Sequence, residues 1–224
     1  DPFDIFQASF VLKNAYPNFP KGTVHMAAVN AHPGGDTTYV ALEYDGHYFI
    51  GTDNGLFSIV LDQPPSKVVE LTINQDSDLM TFPEKDLFVK AACHLARGGT
   101  LEVLGRTYHN LMQRTVLQPV TESNLIKGSV IYIDVYGNVI TNITANDFRQ
   151  IGKGKAFNIS FRRPGYDISE LYQSYDEVPE GEKLALFGAA GYLEVAINKG
   201  HAANLLGLRV GEILRVDFFD GRGV

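Results

Sequence analysis

Apolar residues recur at helical spacing from the start of the chain. Phe3, Phe6 and Phe10, with Ile5, Val11 and Leu12 beside them, predict an opening amphipathic helix. Asp1 followed by Pro2 reads as its N-cap and first helical position. A chain that opens directly on a helix cap leads us to expect a further segment upstream of Asp1. Pro17 and Pro20 then make a loop, and Thr23–Val29 alternates as a strand does. Asn30–Asp36 is a loop, because Pro33 and the Gly34-Gly35 pair break both periods. Tyr39–Tyr44 and His47–Gly51 flank Asp45-Gly46, a strong two-residue hairpin signal. Asp53-Asn54-Gly55 is a polar turn, Leu56–Leu61 a short helix and Val68–Ile73 another strand. Pro83 and Glu84 open a helix through Phe88, Ala91, Ala92 and Leu95, which Gly98-Gly99 stops.

The pattern changes after about residue 118. Ser129–Val135, Val139–Ile143, Ala156–Phe161, Lys183–Phe187, Tyr192–Ile197 and Ile213–Phe218 all read as strands, with Gly137, Gly181, Gly191 and Gly200 in the turns. Ala202–Leu206, closed by Gly207, is the one helix expected there. The fold class is therefore α/β: an N-terminal α/β domain over 1–118 with a central sheet, then an antiparallel β-barrel or sandwich over 119–224.

Composition narrows the function. The 224 residues are 45% hydrophobic and 11% aromatic, which supports a packed core and excludes a disordered chain. No run approaches the ~20 apolar residues of a membrane span. A net charge of −7, with basic clusters only at Lys153–Lys155 and Arg162–Arg163, argues against a nucleic-acid partner. Cys93 is the lone cysteine, which excludes a disulfide scaffold and makes a reducing cytoplasm the default compartment. Its place among Ala91, Ala92 and Leu95 reads as a small buried hydrophobe. The six histidines form no ligand-spaced pair with a carboxylate, so no metal site is expected. Neither a dinucleotide fingerprint nor a phosphate-binding loop is present, so no cofactor is expected.

Three polar segments remain. Asn30–Asp36 follows a strand end, where α/β sheets present ligand contacts, although a plain connection fits too. Asp53-Asn54-Gly55 is either a site turn or an Asx turn. In Ile133–Asn142, Asp134, Tyr136 and Asn138 alternate and would share a face in extended geometry. A carboxylate, a π-face and an amide on one face would suit a cationic ligand that carries a base.

That last segment resembles the IDxFGNxxTNI motif of the S-adenosylmethionine hydroxide adenosyltransferase family, which also includes fluorinase and chlorinase enzymes. Phe19–His25 resembles its FPxGTVH, Asp53–Leu56 its PDNGL, and Phe82–Ala92 its FHGRDxFxPxAA. Gly191–Ala196 followed by Leu206-Gly207-Leu208 resembles its GYLEIA…LGL signature. The resemblance implies an N-terminal α/β domain, a C-terminal β-barrel, and a homotrimer with sites between subunits. It also implies attack of water on S-adenosylmethionine, giving adenosine and methionine. The family's opening TDFG strand would lie before Asp1. Its water-positioning Asp-Arg-His trio is not retained: Asn30 or His32 stands at the Asp, Thr37 or Thr38 at the Arg, and Pro83 at the His.

The implied ligand contacts are Asp134 to the methionine ammonium, Tyr136 stacked on adenine and Asn138 at the adenine edge. Asn30 can orient a water, and His32 can serve as its base. Three functions stay open: an S-adenosylmethionine hydrolase, a binding homologue without catalysis, and an enzyme acting on another adenosyl or nucleoside ligand.

Overall fold

Asp4, and not Asp1, caps the first helix. A computed structural model describes residues 2–32, 37–73, 81–161 and 165–220; Asp1 lies outside them. Phe3 holds a left-handed φ of 67°, so the chain cannot be helical at Pro2. Asp4 is extended, and its Oδ1 accepts from the Phe6 and Gln7 amides, so α1 runs Ile5–Ala15.

The chain divides into two compact units, Asp1–Val116 and Leu117–Val224. Among the described residues, the first unit holds five strands, β1 (Val24–Ala27), β2 (Tyr39–Tyr44), β3 (His47–Thr52), β4 (Lys67–Leu71) and β5 (Gly105–Thr107), in the order β1-β3-β2-β4-β5. β1 lies parallel to β3, and the other pairings are antiparallel. The β2–β3 hairpin turns on Asp45 and Gly46, both at positive φ (47° and 72°), as this turn requires.

Alternation along the strands feeds two cores. Val40, Leu42 and Phe49 pack with α1 and with α2 (Leu56–Val60) on one face. Ala41, Ile50, Val69 and Leu71 pack on the other against a π-helical turn, Glu84–Phe88, that continues into α3 (Val89–Ala96). Ala91 and Leu95 are the buried face of α3. Cys93 points away and is exposed, which corrects its reading as a buried hydrophobe.

The second unit builds one curled antiparallel sheet. Its strands are β6 (Val120–Glu122), β7 (Leu125–Ile133), β8 (Val139–Thr144), β9 (Ala156–Ser160), β10 (Lys183–Phe187), β11 (Tyr192–Ile197) and β12 (Ile213–Phe219). Among the described residues their order is β10-β11-β8-β7-β12-β9, with β6 also on β7. β7 pairs with β12 and β6 through its first half and with β8 through its second. Its register shifts between Val130 and Tyr132, and there the Asn142 amide oxygen accepts from the Ser129 N–H at 2.8 Å. Such a bulge bends the strand, and the sheet curls into a half-barrel. Its core gathers Ile126, Val130, Ile143, Leu193, Val195 and Leu214.

Among the described residues of this unit there are two α-helices where the sequence predicts one. α5 (Ala202–Leu206) ends on Gly207 at φ 69°, as expected. α4 (Ala145–Gly152) is additional. Thr144 and Asp147 form a capping box that starts it. Only Phe148 and Ile151 mark its inner face, too short a pattern to register as a helical period.

Candidate functional site

In the first unit the polar candidates cluster where β1 and β3 end. Asn30 follows β1 with a left-handed φ of 54°, and its Nδ2 donates to the Phe3 carbonyl at 2.8 Å. That bond ties the approach to α1 onto the loop. His32 is exposed and tilted against the Phe3 ring, with centroids 6.0 Å apart. Residues 33–36 of this loop lie outside the described ones. The neighbouring Asp53-Asn54-Gly55 turn is a clamp. Asp53 accepts from Tyr108 Oη and the Met112 N–H, each at 2.8 Å, and Asn54 Nδ2 donates to the Val29 carbonyl at 2.8 Å. Gly55 sits at φ 91°, where a Cβ would stand 2.2 Å from Arg114 Cγ. Asn54 Oδ1 accepts from the Leu56 N–H at 3.1 Å, which is an Asx turn, and both side chains are hydrogen-bonded within the protein.

In the second unit Asp134, Tyr136 and Asn138 lie close together, but not on a strand. β7 stops at Ile133, and the Gly137 N–H bonds the Asp134 carbonyl at 3.0 Å, closing a turn. The expected alternation on one extended face is therefore corrected. Asp134 Oδ1 accepts from the Tyr136 and Asn138 amides at 2.9 and 2.8 Å, and Oδ2 from Asn138 Nδ2 at 3.0 Å. Asn138 is buried beneath it, while the Tyr136 ring is 74% exposed. Gly137, at φ 83°, packs where a Cβ would meet His201 Nδ1 at 2.2 Å, and its carbonyl accepts from the Ala203 N–H. The turn is thus seated on the start of α5, with an aromatic face turned outward. A carboxylate holding three N–H donors is rigidly aimed, and an exposed aromatic ring is a stacking surface.

Glu194 adds a carboxylate that the sequence reading quoted only as part of a signature. It lies on β11, opposite Ile140 of β8 and Leu186 of β10, and is 7% exposed. Tyr175 Oη donates to its Oε1 at 2.6 Å. Burial pushes the Glu194 carboxyl above its ordinary value; the Tyr175 bond opposes that, and the Asp134 charge adds to it. Burial and the bond to Glu194 push the Tyr175 phenol up in turn. Burial and the like charge of Asp134 thus both disfavour the ionised Glu194 carboxylate. Strand parity alone does not reveal Glu194. Its neighbours Leu193 and Val195 point into the main core, and only the segment carrying Tyr175 buries the opposite face.

Among the described residues, no three His, Cys, Asp or Glu side chains come together as a metal site. Among the described residues, no helix is long and apolar enough to cross a membrane.

Comparison with known proteins matches residues 1–105 to the SAM hydroxide adenosyltransferase N-terminal domain and 128–215 to the C-terminal domain of the same family. A Thermus thermophilus protein named (R)-S-adenosyl-L-methionine hydrolase is 31% identical over 96% of this chain and 84% of its own length. A protein of the same name from Salinispora tropica is 29% identical over 96% of the chain and 82% of its own length. Among solved structures, an uncharacterized conserved protein from Thermotoga maritima superposes with a TM-score of 0.87 at 26% identity, covering 97% of this chain and 85% of that one. A conserved hypothetical protein from Thermus thermophilus gives a TM-score of 0.73 at 31% identity, over 96% and 83%.

Proposed function

The chain belongs to the S-adenosylmethionine hydroxide adenosyltransferase family, and from that premise we propose that it hydrolyses S-adenosylmethionine to adenosine and L-methionine. The observation that carries this reading is the match of both domains in order, with relatives named as hydrolases over nearly the whole chain.

The reaction is a displacement. A water oxygen bonds to the ribose 5′ carbon, the carbon–sulfur bond breaks with its electron pair leaving on sulfur, and one water proton is released through a base to solvent. The leaving thioether is neutral and needs no general acid. What the protein supplies is orientation and desolvation of the water, worth several kcal/mol. Asp134, with Glu194 behind it, takes the methionine ammonium. The outward ring of Tyr136 stacks on adenine. Asn138 steadies Asp134 and offers its amide to the adenine edge. Asn30 and His32 bring the strand-end loop of the N-terminal unit to the reacting side. We read the half-barrel as the closed β-barrel of the family, the assembly as a homotrimer that joins the C-terminal turn of one subunit to the N-terminal unit of the next, and the compartment as the cytoplasm.

Incubation with S-adenosylmethionine followed by chromatography should yield adenosine and methionine in equal amounts. Release no faster than the uncatalysed rate, with calorimetric binding retained, would replace the enzyme by a binding protein. The bond from Asn30 Nδ2 to the Phe3 carbonyl fixes the amide and leaves its Oδ1 and second N–H for a water. His32→Gln should leave binding intact and lower turnover; an unaltered kcat removes His32 from the reaction. Tyr136→Ala should weaken S-adenosylmethionine binding by ~1–3 kcal/mol, the range for aromatic stacking on a base.

A further inference from the structure

Among the described residues, three buried polar atoms at one end of the N-terminal sheet have no hydrogen-bond partner: Tyr39 Oη, Thr52 Oγ1 and Glu84 Oε2. Tyr39 and Thr52 share one face of the sheet, and Glu84 opens the turn packed against that face. Tyr39 opens β2, Thr52 closes β3, and the two are direct register partners. Thr52 has the parity of Ile50, so both residues face the core beneath the π-helical turn. Glu84 begins that turn. Phe88, one turn on, stands edge-to-face on the Tyr39 ring with centroids 5.4 Å apart. Burial and the Glu84 charge hold the Tyr39 phenol above its ordinary value. Ala31 packs into the same core, so this is also where the loop of Asn30 and His32 passes.

More than nine in ten buried polar groups find a partner, and each that does not costs about 1–3 kcal/mol. Three together, at the loop end of a sheet and beside a π-helical turn, are not explained by packing. Such turns recur at functional sites. The three groups also complement a single water. A carboxylate accepts one of its protons, a threonine hydroxyl accepts the other, and a phenol O–H donates to one lone pair. One lone pair is left for a carbon.

We propose that Tyr39, Thr52 and Glu84 hold the attacking water of the hydrolysis, with Glu84, in place of His32, the catalytic base; this rests on the functional reading above. The water oxygen bonds to the 5′ carbon as the carbon–sulfur bond breaks, and the pair from that bond goes to sulfur. The water proton goes to the Glu84 carboxylate and from there to solvent. Tyr39 and Thr52 bond to the water and fix its lone pair in line.

The test is adenosine release and calorimetric S-adenosylmethionine binding by the full chain and three variants. Glu84→Gln should lower kcat by ~10²–10⁴-fold, with binding within about threefold of wild type. Tyr39→Phe and Thr52→Val, close in shape to the originals, should each lower kcat by roughly tenfold at unchanged KM. Glu84→Asp should restore part of the Glu84→Gln loss. A purely structural role would instead lower the melting temperature and leave kcat alone. An active wild type with all soluble variants within twofold of its kcat overturns the inference. If Glu84→Gln does not fold, the two near-isosteric variants decide on the same criterion. A wild type that releases no adenosine overturns the functional reading itself, and this inference with it.

Discussion

His25 and His47 show what single residues cost this fold. Their rings meet at Nε2 and Nδ1, 3.3 Å apart, inside a cage of Tyr16, Phe19 and Phe49. His47 is fully buried, and its Nε2 has no partner. Burial lowers the pKa of both imidazoles below the ordinary 6.5, and the His47 neighbour lowers that of His25 further. Above the ordinary value neither state binds the proton and stability is unaffected. As pH falls through about 6.5, the unfolded chain takes up protons that the folded one resists, so stability is lost. The urea midpoint should therefore be lower near pH 5.5 than near pH 7.5, and His25→Phe should shrink the difference. Glu194 works in the opposite sense. Its folded carboxyl lies above the ordinary 4.5, so the folded state takes the proton first and gains stability as pH falls toward that value. Glu194→Gln keeps an acceptor for Tyr175 and removes a buried charge from beside Asp134. It should raise the melting temperature of the free protein, and raise it less in an Asp134→Asn background.

At the scale of elements, the Asp134–Asn138 turn changes how its own residues must be tested. Asp134 closes the turn with three hydrogen bonds, so Asp134→Ala removes ligand contact and local structure together. Asp134→Asn keeps an oxygen for the two backbone donors and loses the charge. Binding should then weaken by ~1.5–3 kcal/mol, the worth of a charge-assisted bond, and the melting temperature should fall somewhat, because the new amide nitrogen faces the Asn138 Nδ2 donor. Gly137 admits no substitute at φ 83° with His201 against it; Gly137→Ala should cost ~1–3 kcal/mol in the urea midpoint. Thr144→Ala should cost ~1 kcal/mol by removing the cap of α4.

At the scale of the whole molecule, the proposed homotrimer predicts a single species of about three chain masses by light scattering, with no monomer at working concentration. A clean monomer would remove the shared site. The sequence alone determined which segments are helix and which are strand wherever period and punctuation agreed. The Asp45-Gly46 hairpin, β10, β11 and α5 are all local, because a turn residue or a sustained alternation fixes each one. It also determined the family, because ordered motifs survive where side chains are individually required. Tertiary structure decided the rest. Asp4 became the cap because Phe3 is left-handed. Cys93 was exposed because only one face of α3 meets the sheet. Tyr136 is exposed on a turn because the chain leaves the strand after Ile133. Glu194 was buried by a segment some twenty residues earlier, and Tyr39, Thr52 and Glu84 met because register and helix packing brought them to one end of a sheet. Such encounters join residues distant in sequence. Their energies depend on burial and on partners across space, and no local spacing records either.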